Sequence, residues 1–523
     1  MSKAILARVL PLLSATAALL LAPASGAEEP AGALALTEAE VVSKAVAQNP
    51  GLRASVLELE SAEWGVVAEE VRYAFVLQID GGVTRTASPG LIPGGVSTAE
   101  SYSAEAGAEL RKRLLWGTDL SFRLGGSWQL SDAARRDLPG ALGPAYGTYA
   151  RFSVVQPLLR GSGREVGEAD ILVASARRTS AERARDRTAS ELLRSVVTAY
   201  WELWYADAVV GIQEQSRAVA IQQRDDAAAR VKVGALAPAD VLSFETRVAT
   251  RDEDVLNAQV ERQRRQAELS RQIGALREGS TLGLPSEDVP PTPAPPPADT
   301  EKAALAESVQ LRELEAALEL ARLQARTAED PQRSRLDLDA YVQADGLGND
   351  EVGPAVKQLG TLGAVSAHVG LTYETPLDDS GRRAAAARAR LAVDVAAQRL
   401  AEARQSVLSE VRTALTSEAA ARRRLALAEE TTRIAERQLE AERARFQTGA
   451  STALAILTAE DEVRSAQLRV ARVRAELLEA SLTLQHLTGR LLARYGSLAQ
   501  GGVSTAGGGR RRGASLGPRV GLF

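Results

Sequence analysis

The 523-residue sequence contains no cysteine, a single methionine and two histidines, His368 and His486. Without Cys there is no disulfide framework, no thiolate metal site, no haem or iron–sulfur ligation through sulfur and no Cys nucleophile. The two histidines are far apart and lack ligand-spaced partners, so neither a metal nor any other cofactor is expected, and both read as structural or solvated. Aromatic residues make up 4% of the chain. Charge of either sign is not in excess, with 63 Lys and Arg against 67 Asp and Glu. A mildly acidic chain with no basic domain is not built for nucleic acid. Past the N-terminal segment, no stretch offers the roughly 18 uncharged apolar residues that a membrane-spanning helix requires.

That N-terminal segment has its own grammar. Lys3 and Arg8 precede an apolar run from Val9 to Leu21, and Ser25-Gly26-Ala27 supplies small residues for a signal peptidase. Residues 1–27 therefore read as a secretory signal peptide, the run being too short for a spanning anchor. No Cys follows to accept a lipid. An exported chain of this kind is expected to be either soluble or a β-barrel.

Two textures alternate along the remainder. One is rich in Ala, Arg, Glu and Leu with apolar residues at three- and four-residue spacing, over Leu36 to Arg72, Arg164 to Ile273, Glu301 to Thr327 and Gly381 to Leu492. It predicts long helices in coiled-coil-like packing. The other is strict alternation. Leu120, Phe122, Leu124, Gly126, Trp128 and Leu130 oppose Ser121, Arg123, Gly125, Ser127 and Gln129. Ala104, Ala106, Ala108 and Leu110 oppose Ser103, Glu105 and Glu109, and Leu336, Leu338, Ala340 and Val342 oppose Asp337, Asp339 and Gln343. Val369 and Leu371 oppose His368, Gly370 and Thr372; Leu77 to Thr86 and Tyr149 to Val155 are less regular. Ten-residue segments with one apolar and one polar face are the signature of transmembrane barrel strands around a wet lumen, although a half-buried strand in a soluble sandwich has the same period. Ser88-Pro89-Gly90, Pro93-Gly94-Gly95, Pro139-Gly140 and Gly346 to Gly353 read as loops.

The chain also repeats itself. Arg230, Gly234, Val241-Leu242, Glu245 and Val248 recur 215 positions later as Arg445, Gly449, Ile456-Leu457, Glu460 and Val463, and Gly274 maps onto Gly489 by the same offset. An internal duplication follows. The expected division is a first repeat over 28–284, a Pro-rich linker over 285–300, a second repeat over 301–493 and a Gly/Arg-rich disordered tail over 494–523.

The ordered set of Asn49-Pro50 with Leu52, Gln156-Pro157-Leu158-Leu159-Arg160-Gly161, Gly234 with Asp240-Val241-Leu242, Gly449 with Ile456-Leu457, the terminal Gly274 and Gly489, and Glu374-Thr375-Pro376-Leu377 resembles the TolC-like outer-membrane efflux protein family over about Leu36 to Leu492. The resemblance implies an α+β membrane protein, in which a homotrimer closes one transmembrane β-barrel continuous with a duplicated long-helix periplasmic α-barrel. It implies a cell outer-membrane location and passive export in a tripartite efflux or type I secretion system. The partners would be a periplasmic adaptor (membrane fusion protein), an inner-membrane pump of RND or ABC type, and outer-membrane lipid. The competing class is a periplasmic coiled-coil adaptor or structural protein, which uses the helices and leaves the alternating strands unexplained.

Sites follow from the same reading. Lipid-facing strand residues are expected at Phe122, Leu124, Trp128, Leu336, Leu338, Val369 and Leu371. Gly234, Ala235 and Leu236, with Gly449, Ala450 and Ser451, should form two hairpin tips at the far periplasmic end, where a glycine suits the left-handed C′ position and small apolar residues suit docking of an adaptor. In the family, acidic residues commonly narrow the tunnel just after the second glycine; Ala453 to Thr458 lacks them, so a periplasmic constriction would rest on Asp240. The first half offers four strand-like segments and the second two, against the family's two and two. The sequence leaves open whether the barrel gains strands or a hairpin around Leu115 to Thr118 lies outside it. No enzyme activity is expected. Gly513-Ala514-Ser515-Leu516-Gly517 has the nucleophile-elbow spacing without the strand and helix that build an elbow. Asp378-Asp379 and Glu429-Glu430 suit helix starts and surfaces, and Tyr200-Trp201 with Trp204-Tyr205 suits packing.

Overall fold

A computed structural model describes residues 36–496 except 93–94, 132–142, 234–236, 275–282, 286–290 and 449. The expected signal segment, the tail after 496 and the Gly513–Gly517 motif lie outside the described residues.

The first repeat opens with α1 (Glu38–Gln48) and α2 (Pro50–Val71). Thr37 starts α1 with a capping box, its hydroxyl accepting from the Glu40 amide while the Glu40 carboxylate accepts from the Thr37 amide at 3.2 Å. Asn49 separates the two helices. Its side chain accepts from the Leu52 amide at 3.0 Å and donates to the Gln272 carbonyl at 2.9 Å, and Pro50 occupies the first helical position. Four strands follow: β1 (Phe75–Ile92), β2 (Gly95–Arg113), β3 (Asp119–Ser131) and β4 (Ala145–Pro157). A 64-residue helix α3 (Ala169–Lys232) and its return partner α4 (Pro238–Ile273) complete the repeat.

The second repeat runs through α5 (Thr300–Glu307), α6 (Val309–Thr327), β5 (Arg335–Asn349), a short α7 (Gly353–Gly360), β6 (Val365–Glu374), the 68-residue α8 (Ser380–Gln447) and α9 (Ala453–Leu487). At 1.5 Å per residue α3 and α8 each extend about 100 Å.

The two halves match at their joints. α4 ends on Gly274 at φ +79°, packed against the last carbonyl of α1, and α9 is followed by Gly489 at φ +69°, packed against the last carbonyl of α5. Around the first joint lies the largest described core cluster, with Val42, Leu193, Tyr200, Leu203, Leu269, Ile273 and Leu491 fully buried or nearly so. The Tyr200 hydroxyl donates to the Leu36 carbonyl at 2.9 Å, and Tyr200, Trp201 and Trp204 stack edge to face, so this aromatic group is core. A second cluster joins α5, α6, α8 and the end of α9 through Ala304, Leu311, Val407, Val411 and Leu484.

All six strands form one antiparallel sheet in chain order, β1 to β6. The hairpin around Leu115 to Thr118 is therefore inside the sheet. Its turn is locked to the strand-to-helix exit: Gly117 packs onto the Gly161 carbonyl, and the Gly163 amide donates to the Trp116 carbonyl at 3.3 Å. Two expected loops are strand instead. Ser88-Pro89-Gly90 belongs to β1, where proline is tolerated because the strand lies at the sheet edge and has a partner on one side among the described residues. Gly346 to Asn349 belongs to β5; Gly346 and Gly348 lie against the backbone of α7, with Ala355 buried between them.

Candidate functional site

The register sorts every strand residue onto one of two faces. Leu77 pairs with Leu110, Leu110 with Phe122, Phe122 with Phe152, Phe152 with Val342 and Val342 with Ala367. One row away, Ile79, Ala108, Leu124, Ala150, Ala344 and Val365 are likewise in register. Alternation carries this apolar surface across all six strands. Phe122, Leu124, Trp128, Leu336, Leu338, Val369 and Leu371 all fall on it. Most of its large members are open: Ile79 is 75% exposed, Val369 73% and Leu371 67%. Aromatic residues sit towards its two ends, Trp128, Tyr146 and Tyr102 at the end farther from the helices, Phe75 and Tyr373 at the nearer.

The opposite face is polar and tied together across strands. Arg123 on β3 reaches Asp80 on β1 at 2.7 Å and Glu109 on β2 at 3.3 Å, and its Nε donates to the Tyr149 hydroxyl on β4 at 2.8 Å. Arg151 donates to Gln343 at 2.5 Å and lies over the Tyr341 ring at 4.5 Å. His368 also stacks on Tyr341, 5.1 Å between ring centres, and lies 3.2 Å from Asp339. An apolar, exposed face backed by a hydrogen-bonded, charged one is what a wall between lipid and water requires. No helix among the described residues is long and apolar enough to cross a membrane.

At the far end of the helices, Gly234, Ala235, Leu236 and Gly449 lie outside the described residues, and the side chain of Asp240 does too; its backbone is in the first turn of α4. Ala450 is exposed, with its amide donating to the Arg445 carbonyl at 2.8 Å. The Ser451 hydroxyl donates to Glu442 at 2.7 Å, and Thr452 caps α9 by accepting from the Ala455 amide. Val233, Leu242 and Leu454, close to the two tips in sequence, are 79%, 61% and 72% exposed.

Some fifteen residues from the tips lies a charge cluster that sequence reasoning missed. Arg251 of α4, 5% exposed, pairs with Asp254 at 2.6 Å and with Asp461 of α9. Arg247 reaches the same Asp461 at 3.0 Å and donates to the Leu457 carbonyl at 2.7 Å; Arg464 approaches Asp461 at 3.6 Å. The signal was there as Arg and Asp at three-residue spacing on both helices, but that pattern also describes any solvated helix face. Nothing in one helix alone says that the other faces it.

The remaining candidates are structural. Asp379 is the residue preceding α8, and Asp378 accepts from the Ser380 amide at 2.8 Å. Glu429 and Glu430 pair with Arg474 and Arg433. His486 is half-buried with Nδ1 2.9 Å from the Ser190 hydroxyl, and burial, with Arg194 nearby, pulls its pKa below the usual imidazole value.

Residues 302–490 match the family model described as outer membrane efflux protein. That match covers the second half of the chain, from α5 to Gly489. The chain's fold is that of several solved channels. OprN, described as an outer-membrane channel, aligns with a TM-score of 0.63 at 17% identity, over 86% of this chain and 89% of that one. The outer membrane protein VceC of Vibrio cholerae aligns at 0.59 and 16%, over 86% and 96%. The MtrE outer membrane channel of Neisseria gonorrhoeae, in its open state, aligns at 0.57 and 19%, over 86% and 88%. No curated protein sequence matches this chain. The fold agrees with the resemblance read from the Asn-Pro, strand-exit and terminal-glycine motifs, and the family match covers those of the second half, from Glu374 to Gly489.

Proposed function

We propose that this chain is the outer-membrane channel of a tripartite export system and is not an enzyme. Three copies close one barrel in the outer membrane and continue as a helical tunnel through the periplasm. Solutes pass by diffusion, delivered by an inner-membrane pump through a periplasmic adaptor that docks on the tips around Gly234–Leu236 and Gly449–Ser451. Phe122, Leu124, Trp128, Leu336, Leu338, Val369 and Leu371 face lipid; Asp240 is the acidic residue nearest the tunnel's closing end. The observation that carries this reading is the largely exposed apolar face shared by six strands, covered by α7 around Gly346 and Gly348 and backed by a polar face held by Asp80, Glu109 and Arg123. An adaptor or structural coiled coil has no use for such a sheet. Helices of 64 and 68 residues supply the reach.

Membrane fractionation tests the first part. The chain should sediment with outer membranes and migrate faster unheated than heated on a denaturing gel, and recovery in the soluble periplasm would end the channel reading. For docking, the double variant Leu236→Glu with Ala450→Glu should lose export while assembly and insertion persist. Full export by that variant would remove the tips as the docking site.

A further inference from the structure

The two halves agree joint by joint and differ most in their strands. Between α6 and α8 the second repeat holds one hairpin, β5–β6; between α2 and α3 the first holds two. The additional pair is not a plug or a flap. β2 and β3 are in continuous register from Ser101↔Ser131 to Arg113↔Asp119. Arg123 ties Asp80 and Glu109 to the polar face, and Leu77, Ile79 and Leu110 extend the apolar one. At the helix end, the β2–β3 turn is packed onto the exit of β4.

A sheet with free edges cannot stand in lipid, because each unpaired N–H and C=O there costs several kcal/mol. The outer edges of β1 and β6 have no partner among the described residues. We infer that β1 of one copy pairs with β6 of the next, so that the extra hairpin enlarges the barrel to eighteen strands from three copies where a two-hairpin chain would give twelve. Barrel diameter grows roughly linearly with strand number, so the outer-membrane pore is about half again as wide as twelve strands allow. The helical shaft gains nothing, since both repeats supply it with the same long hairpin. The structure thus assigns the extra width to the exit alone, which suits solutes bulkier at the mouth than the closing end admits at rest. This rests on the channel reading above.

β1 and β3 both begin at the helix end of the sheet, so deleting residues 75–118 joins α2 directly to β3 and restores the pattern of the second repeat. Electron microscopy of the detergent-purified full chain, with copy number from native mass spectrometry, should count eighteen strands in a three-copy ring. The deletion variant should give twelve, with a pore about two thirds as wide and an unchanged shaft. A three-copy ring of twelve strands, or a two-copy ring, overturns the inference. Should the deletion variant fail to fold, the cysteine-free background allows a second measurement. Asp80→Cys or Gln78→Cys combined with His368→Cys should crosslink neighbouring copies into dimers and trimers. Crosslinking of His368→Cys to Ser127→Cys on β3, with none to β1, would put the hairpin outside the wall and overturn it. A soluble or monomeric chain would defeat the channel reading itself, whereas a membrane trimer of twelve strands defeats the wider barrel alone.

Discussion

Gly489 lies directly against the backbone carbonyl of Glu307, leaving no space for a side chain between them. Its repeat counterpart, Gly274, meets the Gln48 carbonyl in the same way, though an added Cβ there would stand 3.0 Å away. Both glycines have left-handed φ, where a Cβ is penalised by about 1 kcal/mol before any collision. Gly489→Ala should therefore destabilise by about 2–4 kcal/mol and Gly274→Ala by about 1–2, since a strained backbone position costs of order 1–3 kcal/mol and the closer contact adds to it. Thermal unfolding of the two variants checks the order. Equal losses would mean the second joint relaxes more freely than its packing indicates.

Leu124 and Ser121 lie on opposite faces of β3. An Arg on the lipid face near the bilayer midplane costs on the order of 2–4 kcal/mol, while one on the wet face costs little. Leu124→Arg should reduce membrane assembly sharply and Ser121→Arg should leave it near normal. Equal assembly, quantified from the outer-membrane fraction, would invert the assignment of inside and outside.

Asp461→Asn should loosen the contact of α4 with α9. It leaves Arg251 buried with Asp254 as its remaining carboxylate and weakens the hold of Arg247 and Arg464. Charged hydrogen bonds contribute about 1.5–3 kcal/mol each, and solvent screening at Asp461, whose side chain is 41% exposed, keeps the loss towards the lower end. A loss of about 1–2 kcal/mol, with faster proteolysis of the tip-proximal half of α4, is the expected result. An unchanged proteolysis rate would mean the cluster is not what joins the two helices.

His486 gives a pH dependence with a definite sign. Burial disfavours its charged form, so its folded pKa lies below that of the unfolded chain, near 6.5. The unfolded state then binds more protons as pH falls. Stability from this site is fully present above about pH 6.5 and declines as pH drops towards the lowered folded value. His486→Gln should flatten the decline just below about pH 6.5 in thermal melts. A decline of the same slope in the variant would assign it to other groups.

The long helices and the strands around Leu120 to Leu130 were legible because each carries many repeats of its own period. The joints were legible as Asn49-Pro50 and the two glycines, since caps use few residue types. Strand ends were not: Pro89 and Gly346 carry the composition of loops, and only the sheet edge and the packing of α7 explain why they are strand. The number of strands in the wall was open for a related reason. Alternation reports that a segment has two faces but not which neighbours share them, and that information resides in pairings such as Arg123 with Asp80, 43 residues apart. The Arg251–Asp461 contact, 210 apart, was hidden in the same way.

β3 stops at Ser131, opposite Ser101, while β1 and β2 run on together to Ile92 and Gly95. Among the described residues, the sheet beyond that level is a two-stranded ribbon, a form that is marginally stable on its own in water. It points away from the helical shaft, so in the proposed channel it would be the part that stands clear of the cell surface. Whatever approaches such a cell from outside, whether antibody, phage or protease, would meet a loose prong before it met the wall, and cleavage there would leave the pore beneath intact.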